Sequence, residues 1–309
     1  MTSEKRYWWR VALELKLRKS YGDAFQDFFS LVMAKAHGSD FVRVHPFGQL
    51  GDKGCDGYLQ SSGRVFQCYG ALNAEQDKVA YLVGKMKTDH AKAAKELGSL
   101  MKEWNMVHNL IDGLPIEAVQ VLDALKKGNP KQEFAFFGVE SFEEIIFSLD
   151  EQKIEDLLGI AATALDGLSL QTAELRDLVN SVALALDETD GTIASIQPVP
   201  TDKLKFNKLP NPWVKLIEFG WSNAYLVADY LSKRPEPLFA EQLAEHFRNR
   251  YAYLKSQALT PSAIMSSLYE MVVGSGNVTA PRQVAAQALL AFLFESCDIF
   301  EDHPSMVIR

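Results

Sequence analysis

The run GQLGDKGCDGYLQSSGRVFQCYG, residues 48–70, sets two aspartates, Asp52 and Asp56, among the glycines Gly51, Gly54 and Gly57. It follows them with two short apolar segments, GYLQ and RVFQCY, joined by the turn SSG. Alternation along adjacent strands of such a hairpin brings the side chains of Asp56 and Gln67 to one face. Asp56 is expected at the start of a strand, facing a cleft, so that two oxygen donors converge there. Magnesium takes hard oxygen ligands near octahedral geometry and keeps several waters, so one carboxylate, one amide oxygen and a backbone carbonyl suffice beside a phosphate. The alternative is a Gly/Asp-rich turn that only shapes the hairpin.

Outward from this run, the spacing of apolar residues predicts two helices between Tyr7 and Ala36, broken at Tyr21-Gly22-Asp23, and a strand at FVRVHPF. Downstream, Val79, Leu82, Val83, Met86, His90, Ala93, Ala94 and Leu97 share one helical face and Lys78, Lys85 and Lys92 another, in a helix predicted to run to about Trp104. GLP at 113–115 breaks the chain, a helix through VLDALKK follows, and EFAFFGV at 133–139 reads as a strand. SFEEIIFSL then reads as a helix capped by Ser141, with Glu144 behind it. Residues 1–150 therefore make an α/β domain, 151–200 an acidic helical linker region ending in a proline-rich stretch, and 201–309 an all-α domain. AAQALLAFLFESCDIF is the most hydrophobic of the last helices and is expected at the centre of a bundle.

With 309 residues, 47% of them hydrophobic, the chain has material for two cores. No apolar run approaches the roughly 20 residues of a membrane-spanning helix. MTSEKRYWWRVALELKLRKS also lacks the features of a secretory signal, so a cytoplasmic location is expected. Cys55, Cys68 and Cys297 have neither the number nor the spacing of a disulfide framework or zinc site, and the six histidines show no metal-binding pairing. The net charge of −8 is unevenly spread: residues 1–100 hold 15 Lys and Arg against 11 Asp and Glu, the remainder 17 against 29. The N-terminal part can thus face phosphates, and the acidic C-terminal part suits protein partners.

The run at 48–70 resembles the Mrr-like branch of the PD-(D/E)xK (restriction-endonuclease-like) superfamily, whose pattern is G-x-x-G-D-x-G-x-D-G, a short gap, then an apolar residue and Q-x-K. Gly48, Gly51, Asp52, Gly54, Asp56, Gly57 and Gln67 match it. The resemblance implies a core of helix, strand meander, helix and strand, with Asp56 and Gln67 as ligands of Mg²⁺ or Mn²⁺ and Asp52 assisting. Gln26, in AFQDFF, stands where the upstream helix of the superfamily contributes an acid, which makes it a weak ligand or a support for one. Tyr69 stands where the superfamily has its lysine, which orients the attacking water and offsets charge in the transition state. Lys85 is the replacement to expect, oriented by Asp89 one turn on, with Lys87 and Lys53 as the others. If no cation substitutes, the same fold is catalytically disarmed and serves as a DNA-binding or scaffold subunit.

FGQLGDKGCDGY with FQCYG, then KMKTDH, WNMVHNLIDGLP, KLKFNKL and AAQALLAFLFESCDIFE, in that order, resemble the nuclease-type component of ABC-three-component bacterial defence systems, related to Lamassu. This resemblance implies a DNA endonuclease effector, or a homo-oligomer of it, held by an SMC/ABC-type ATPase and a small middle component, with the C-terminal helices as docking module. The chain has no GxxxxGK[ST] phosphate loop, and GSGN at 274–277 lacks its lysine, so nucleotide hydrolysis belongs to a partner.

Overall fold

The computed structural model describes residues 1–44, 54–72, 79–183, 202–236, 238–274, 278–296 and 298–301. By its contacts the chain divides into an α/β unit, Ala12–Leu158, and a helical unit formed by Gly159–Arg309 together with Met1–Val11. Glu151–Leu158 belong with the sheet, and the opening residues belong with the far end of the chain, because Trp9 Nε1 donates to Gly159 O at 3.0 Å and Trp8 meets the Tyr269 ring edge-on.

The first two helices are α1 (Ser3–Lys19), inside which the division falls, and α2 (Gly22–His37). β1 (Phe41–Arg43), β2 (Gly57–Leu59) and β3 (Arg64–Tyr69) form an antiparallel meander. α3 (Val79–Leu97) crosses to β4 (Glu103–His108), and α4 (Ile116–Gly128) to β5 (Glu133–Phe137), so that β3, β4 and β5 are parallel in a sheet of order β1-β2-β3-β4-β5. α5 (Val139–Ser148) and α6 (Glu151–Leu158) complete the unit. The fold is mixed α/β with helices on both faces of the sheet, the arrangement parallel strands require.

Two readings are corrected. Trp104 lies in β4 and not in a helix, which gives out at Leu97; Trp104, Met106 and Val107 are all buried because a central parallel strand is covered on both faces and shows no alternation. Ser141 is not a cap either. The helix begins at Val139 behind Gly138, where a Cβ would lie 2.8 Å from His108 Cε1.

One face of the sheet is aromatic. Phe25, Phe28, Phe29, Val32 and Met33 of α2 recur at helical spacing and are all buried, contributing about 1.5–3 kcal/mol each. Phe29 is the centre, with ring centroids 5.2 Å from Phe66, 5.4 Å from Phe137 and 5.9 Å from Phe41, so Phe29→Ala should cost about 3–5 kcal/mol. On the opposite face Val65, Tyr69, Trp104, Met106 and Phe134 pack with Leu82, Met86 and Ala93 of α3 and with Ala118 and Val121 of α4.

The helical unit comprises α7 (Ala164–Leu168), α8 (Thr172–Ala183), α9 (Asp202–Phe206), α10 (Asn211–Ser232), α11 (Phe239–Ser256), α12 (Pro261–Val273) and α13 (Ala280–Glu295). α13 is buried from Gln283 to Ala291 without a break, as expected of the central helix. It lies so close to α10 that a Cβ on Gly220 would stand 2.3 Å from Gln287 O. Lys203, buried, donates its Nζ to Phe294 O at 2.8 Å, satisfying a carbonyl in the last turn of α13 and favouring the negative end of its dipole. Among the described residues no helix is long and apolar enough to cross a membrane.

Candidate functional site

Gly54, Cys55 and Asp56 lead into β2, and their backbone lies directly on α3. Gly54 has φ +77°, and a Cβ there would be 2.2 Å from Asp89 O, so both the conformation and the space demand glycine. Asp56 N donates to Phe66 O at 2.8 Å and Asp56 O accepts from Val44 N at 3.0 Å, continuing both ladders one residue past the strand. That register puts Asp56 beside Gln67.

Asp56 is not exposed to a cleft, as the sequence led us to expect. It is 4% exposed, because its carboxylate is enclosed by three donors: Gln26 Nε2 at 2.9 Å to Oδ1, and Gln67 Nε2 at 2.7 Å and Cys68 N at 2.6 Å to Oδ2. Gln67 is 1% exposed, and its Oε1 receives no hydrogen bond among the described residues. A buried amide oxygen left so costs about 1–3 kcal/mol, which a cation or a donor arriving there would relieve.

Gln26 therefore turns its nitrogen, and not an oxygen, toward Asp56; it supports the carboxylate. Its neighbour Asp27 is spoken for by Arg43. Lys85 donates to Asp89 Oδ2 at 2.6 Å, as its spacing on α3 foretells, and Lys92 approaches the other oxygen at 3.4 Å. Lys87 is exposed. Tyr69 is buried on the α3 face of the sheet. Asp52 and Lys53 lie outside the described residues, as do Gly48, Gly51, Lys78 and Cys297. Burial pushes the Cys68 thiol well up, Asp56 adds to this, and Lys85 and Arg43 act in the opposite sense. Both cations thus lie within electrostatic reach of the strand that carries Gln67.

Asp56 and Gln67 fit the modest demand of Mg²⁺, one or two protein oxygens with the rest supplied by water and substrate. They do not make a closed cage: no group of three His, Cys, Asp or Glu that could hold a metal occurs among the described residues. Gln67 Oε1, without a donor among the described residues and beside a carboxylate, is the feature that fits a cation.

Two contributions escaped the sequence. The Cys68 N–H has no residue-type signal, since any residue but proline supplies it. Asn109 could have been suspected as a polar residue closing an apolar strand. Its Nδ2 donates to Ser20 O at 2.7 Å, Ala71 O at 2.8 Å and Leu17 O at 3.2 Å, and its Oδ1 accepts from Ala71 N at 2.8 Å, pinning the exit of β3 to the end of α1.

Residues 173–301 match the family model for C-terminal domain 10 of the ABC-three component (ABC-3C) systems. Most of the helical unit is thus similar to an ABC-3C C-terminal domain. The match runs from α8 through α13. No curated protein and no solved structure matches the chain. Within the ABC-3C domain, Arg248 of α11 bridges Asp298 and Glu241, and Asn207 donates to Glu301 O at 2.8 Å, tying the segment after α13 to the bundle. N-terminal to the domain, Leu165 and Leu168 of α7 are 74% and 85% exposed, more apolar surface than this small helix needs to leave in water.

Proposed function

We propose that this chain is the nuclease-type effector of an ABC-3C defence system: a Mg²⁺- or Mn²⁺-dependent DNA endonuclease of the PD-(D/E)xK type, acting in the bacterial cytoplasm. The observation that carries the reading is the Asp56–Gln67 pair, a buried carboxylate beside a buried amide oxygen that has no donor among the described residues. Asp56 and Gln67 would hold the metal, which supplies Lewis acidity toward a phosphodiester and an activated water when bound. Gln26 and the Cys68 N–H hold Asp56 in place, and Asp52 belongs to the same turn in sequence. Lys85, held by Asp89, offsets negative charge on the phosphate in place of the lysine that Tyr69 displaces, with Lys53 the other cation of the turn.

The ABC-3C match supports assembly with an SMC/ABC-type ATPase and a small middle component, the helical unit serving as docking module or as a homo-oligomer contact. A second reading has its own observation: Lys85 is already engaged by Asp89 and Tyr69 is buried, as in a disarmed fold that only binds DNA or scaffolds the complex. Plasmid and linear DNA incubated with the chain, alone and with its neighbouring gene products, in Mg²⁺ and in EDTA, separates the two. Metal-dependent cutting that Asp56→Asn abolishes supports the nuclease. DNA retention equal in EDTA and Mg²⁺ without cutting, in every combination of partners, sinks it.

A further inference from the structure

Tyr81, in the first turn of α3, is 64% exposed, and the hydrolytic reading gives it nothing to do. Its ring rests against that of Tyr69, centroids 6.2 Å apart and planes inclined at 39°. Tyr69 is itself buried, and it follows Gln67 by two residues on the same face of β3, roughly 7 Å along the strand. Lys85 follows Tyr81 by one helical turn, so the two side chains share a face of α3, and Lys85 acts electrostatically on Cys68, next to Gln67. An exposed aromatic ring and an ammonium group thus stand one turn apart on α3, and the ring rests on Tyr69, two residues along β3 from the carboxylate–carboxamide pair.

We propose that Tyr81, floored by Tyr69, is a stacking ledge for an unpaired nucleobase of the strand whose phosphate lies at Asp56 and Gln67. The inference rests on the nuclease reading and names its substrate class: DNA with a single-stranded, frayed or mismatched segment at the cut. A base inside a duplex has both faces covered by its neighbours, so only an unstacked one can offer a face to the ring. Tyr69 limits the rotamers open to Tyr81, which leaves less freedom to lose when a base covers it. One aromatic to hold a base and one cation to hold the backbone is the combination by which single-strand binders work without reading sequence. On this account Tyr69 is not merely a lost lysine; it is the underside of a substrate-binding surface.

Fluorescence anisotropy of the full-length chain with labelled oligothymidylate, and with a labelled duplex hairpin of equal phosphate number, tests this in EDTA, where no cleavage intervenes. Tyr81→Ala should weaken oligothymidylate binding by roughly 5- to 100-fold, the range for removing one base-stacking aromatic, and leave the hairpin little changed. Tyr81→Phe should bind as the parent does, and Tyr81→Trp at least as well. The salt dependence in Tyr81→Ala should keep the parent slope, because stacking releases no counterions. Unchanged oligothymidylate affinity in Tyr81→Ala, equal losses on both probes, or a Tyr81→Phe as weak as Tyr81→Ala each overturn the ledge. Plasmid cleavage is scored separately. A chain that holds oligothymidylate through Tyr81 but never cuts keeps the ledge and loses the nuclease reading, and one that cuts while Tyr81→Ala binds as the parent does loses only the ledge.

Discussion

Asp56→Ala should unsettle the α/β unit as well as silence any chemistry. The substitution removes the acceptor of three hydrogen bonds at 2.6–2.9 Å, from Cys68 N, Gln67 Nε2 and Gln26 Nε2. The Cys68 N–H belongs to a strand covered on both faces and has nowhere else to turn; the Gln67 amide is 1% exposed; only Gln26, half-buried, regains water. At about 1–3 kcal/mol for each donor left buried and unpaired, the two donors that remain after discounting Gln26 bring the loss to about 2–6 kcal/mol. In a unit of this size that lowers the midpoint of its thermal transition by roughly 10 °C. Asp56→Asn keeps the shape and one acceptor oxygen and should cost about 1–3 kcal/mol. Thermal and urea unfolding followed by circular dichroism measure both. If Asp56→Ala melted within about 2 °C of the parent, the enclosure of Asp56 would be refuted. Because the alanine variant is destabilised, inactivity in it is uninterpretable by itself, and Asp56→Asn is the variant for assigning chemistry.

Gly54→Ala must place a Cβ 2.2 Å from Asp89 O at φ +77°, and the strain and overlap together should cost about 2–4 kcal/mol, read by urea unfolding. A cost below about 0.5 kcal/mol would mean the turn does not lie on α3. Burial lowers the His108 pKa from 6.5 to about 4, so the unfolded chain binds the extra proton between these values. Stability from this group is full above pH 6.5 and falls by about 3 kcal/mol as pH drops to 4; His108→Gln should flatten that slope, and an unchanged slope would acquit the histidine. Lys85→Ala should lower the cleavage rate by roughly 10²- to 10³-fold with DNA affinity little changed, as for one transition-state charge donor. Equal losses of affinity alone for Lys85, Lys87 and Lys92 would mark α3 as a phosphate-binding face instead.

The hairpin around residues 57–69 was legible because two local signals agree there: glycines and polar residues at the turns, and apolar alternation between them. The pairing of Asp56 with Gln67 followed from the same alternation. Its depth did not, since Gln26 of α2, which closes over Asp56 from 30 positions away, and α3, against which Gly54 lies, are brought there by tertiary packing. β4 was lost for another reason. EWNMVH mixes Glu103, Asn105 and His108 with its apolar residues, so it shows neither alternation nor an unbroken apolar run, and the predicted helix ends inside it at Trp104. The support given by Gln26 could be guessed as to place but not as to which end of the amide faces the carboxylate, because that is fixed by the other donors around Asp56.

The division of the chain has a consequence for its synthesis. Ala12–Leu158 form a contact unit whose residues are all made before Gly159, but Met1–Val11, made before them, pack with residues made after Leu158, among them Gly159 and Tyr269. The helical unit cannot close its core until α13, buried almost along its whole length, has also emerged. A chain so ordered has its α/β unit out while the unit similar to the ABC-3C domain is still being translated. For that interval Trp8 and Trp9 have no finished core to enter, and the nascent chain presents them to whatever chaperones attend it.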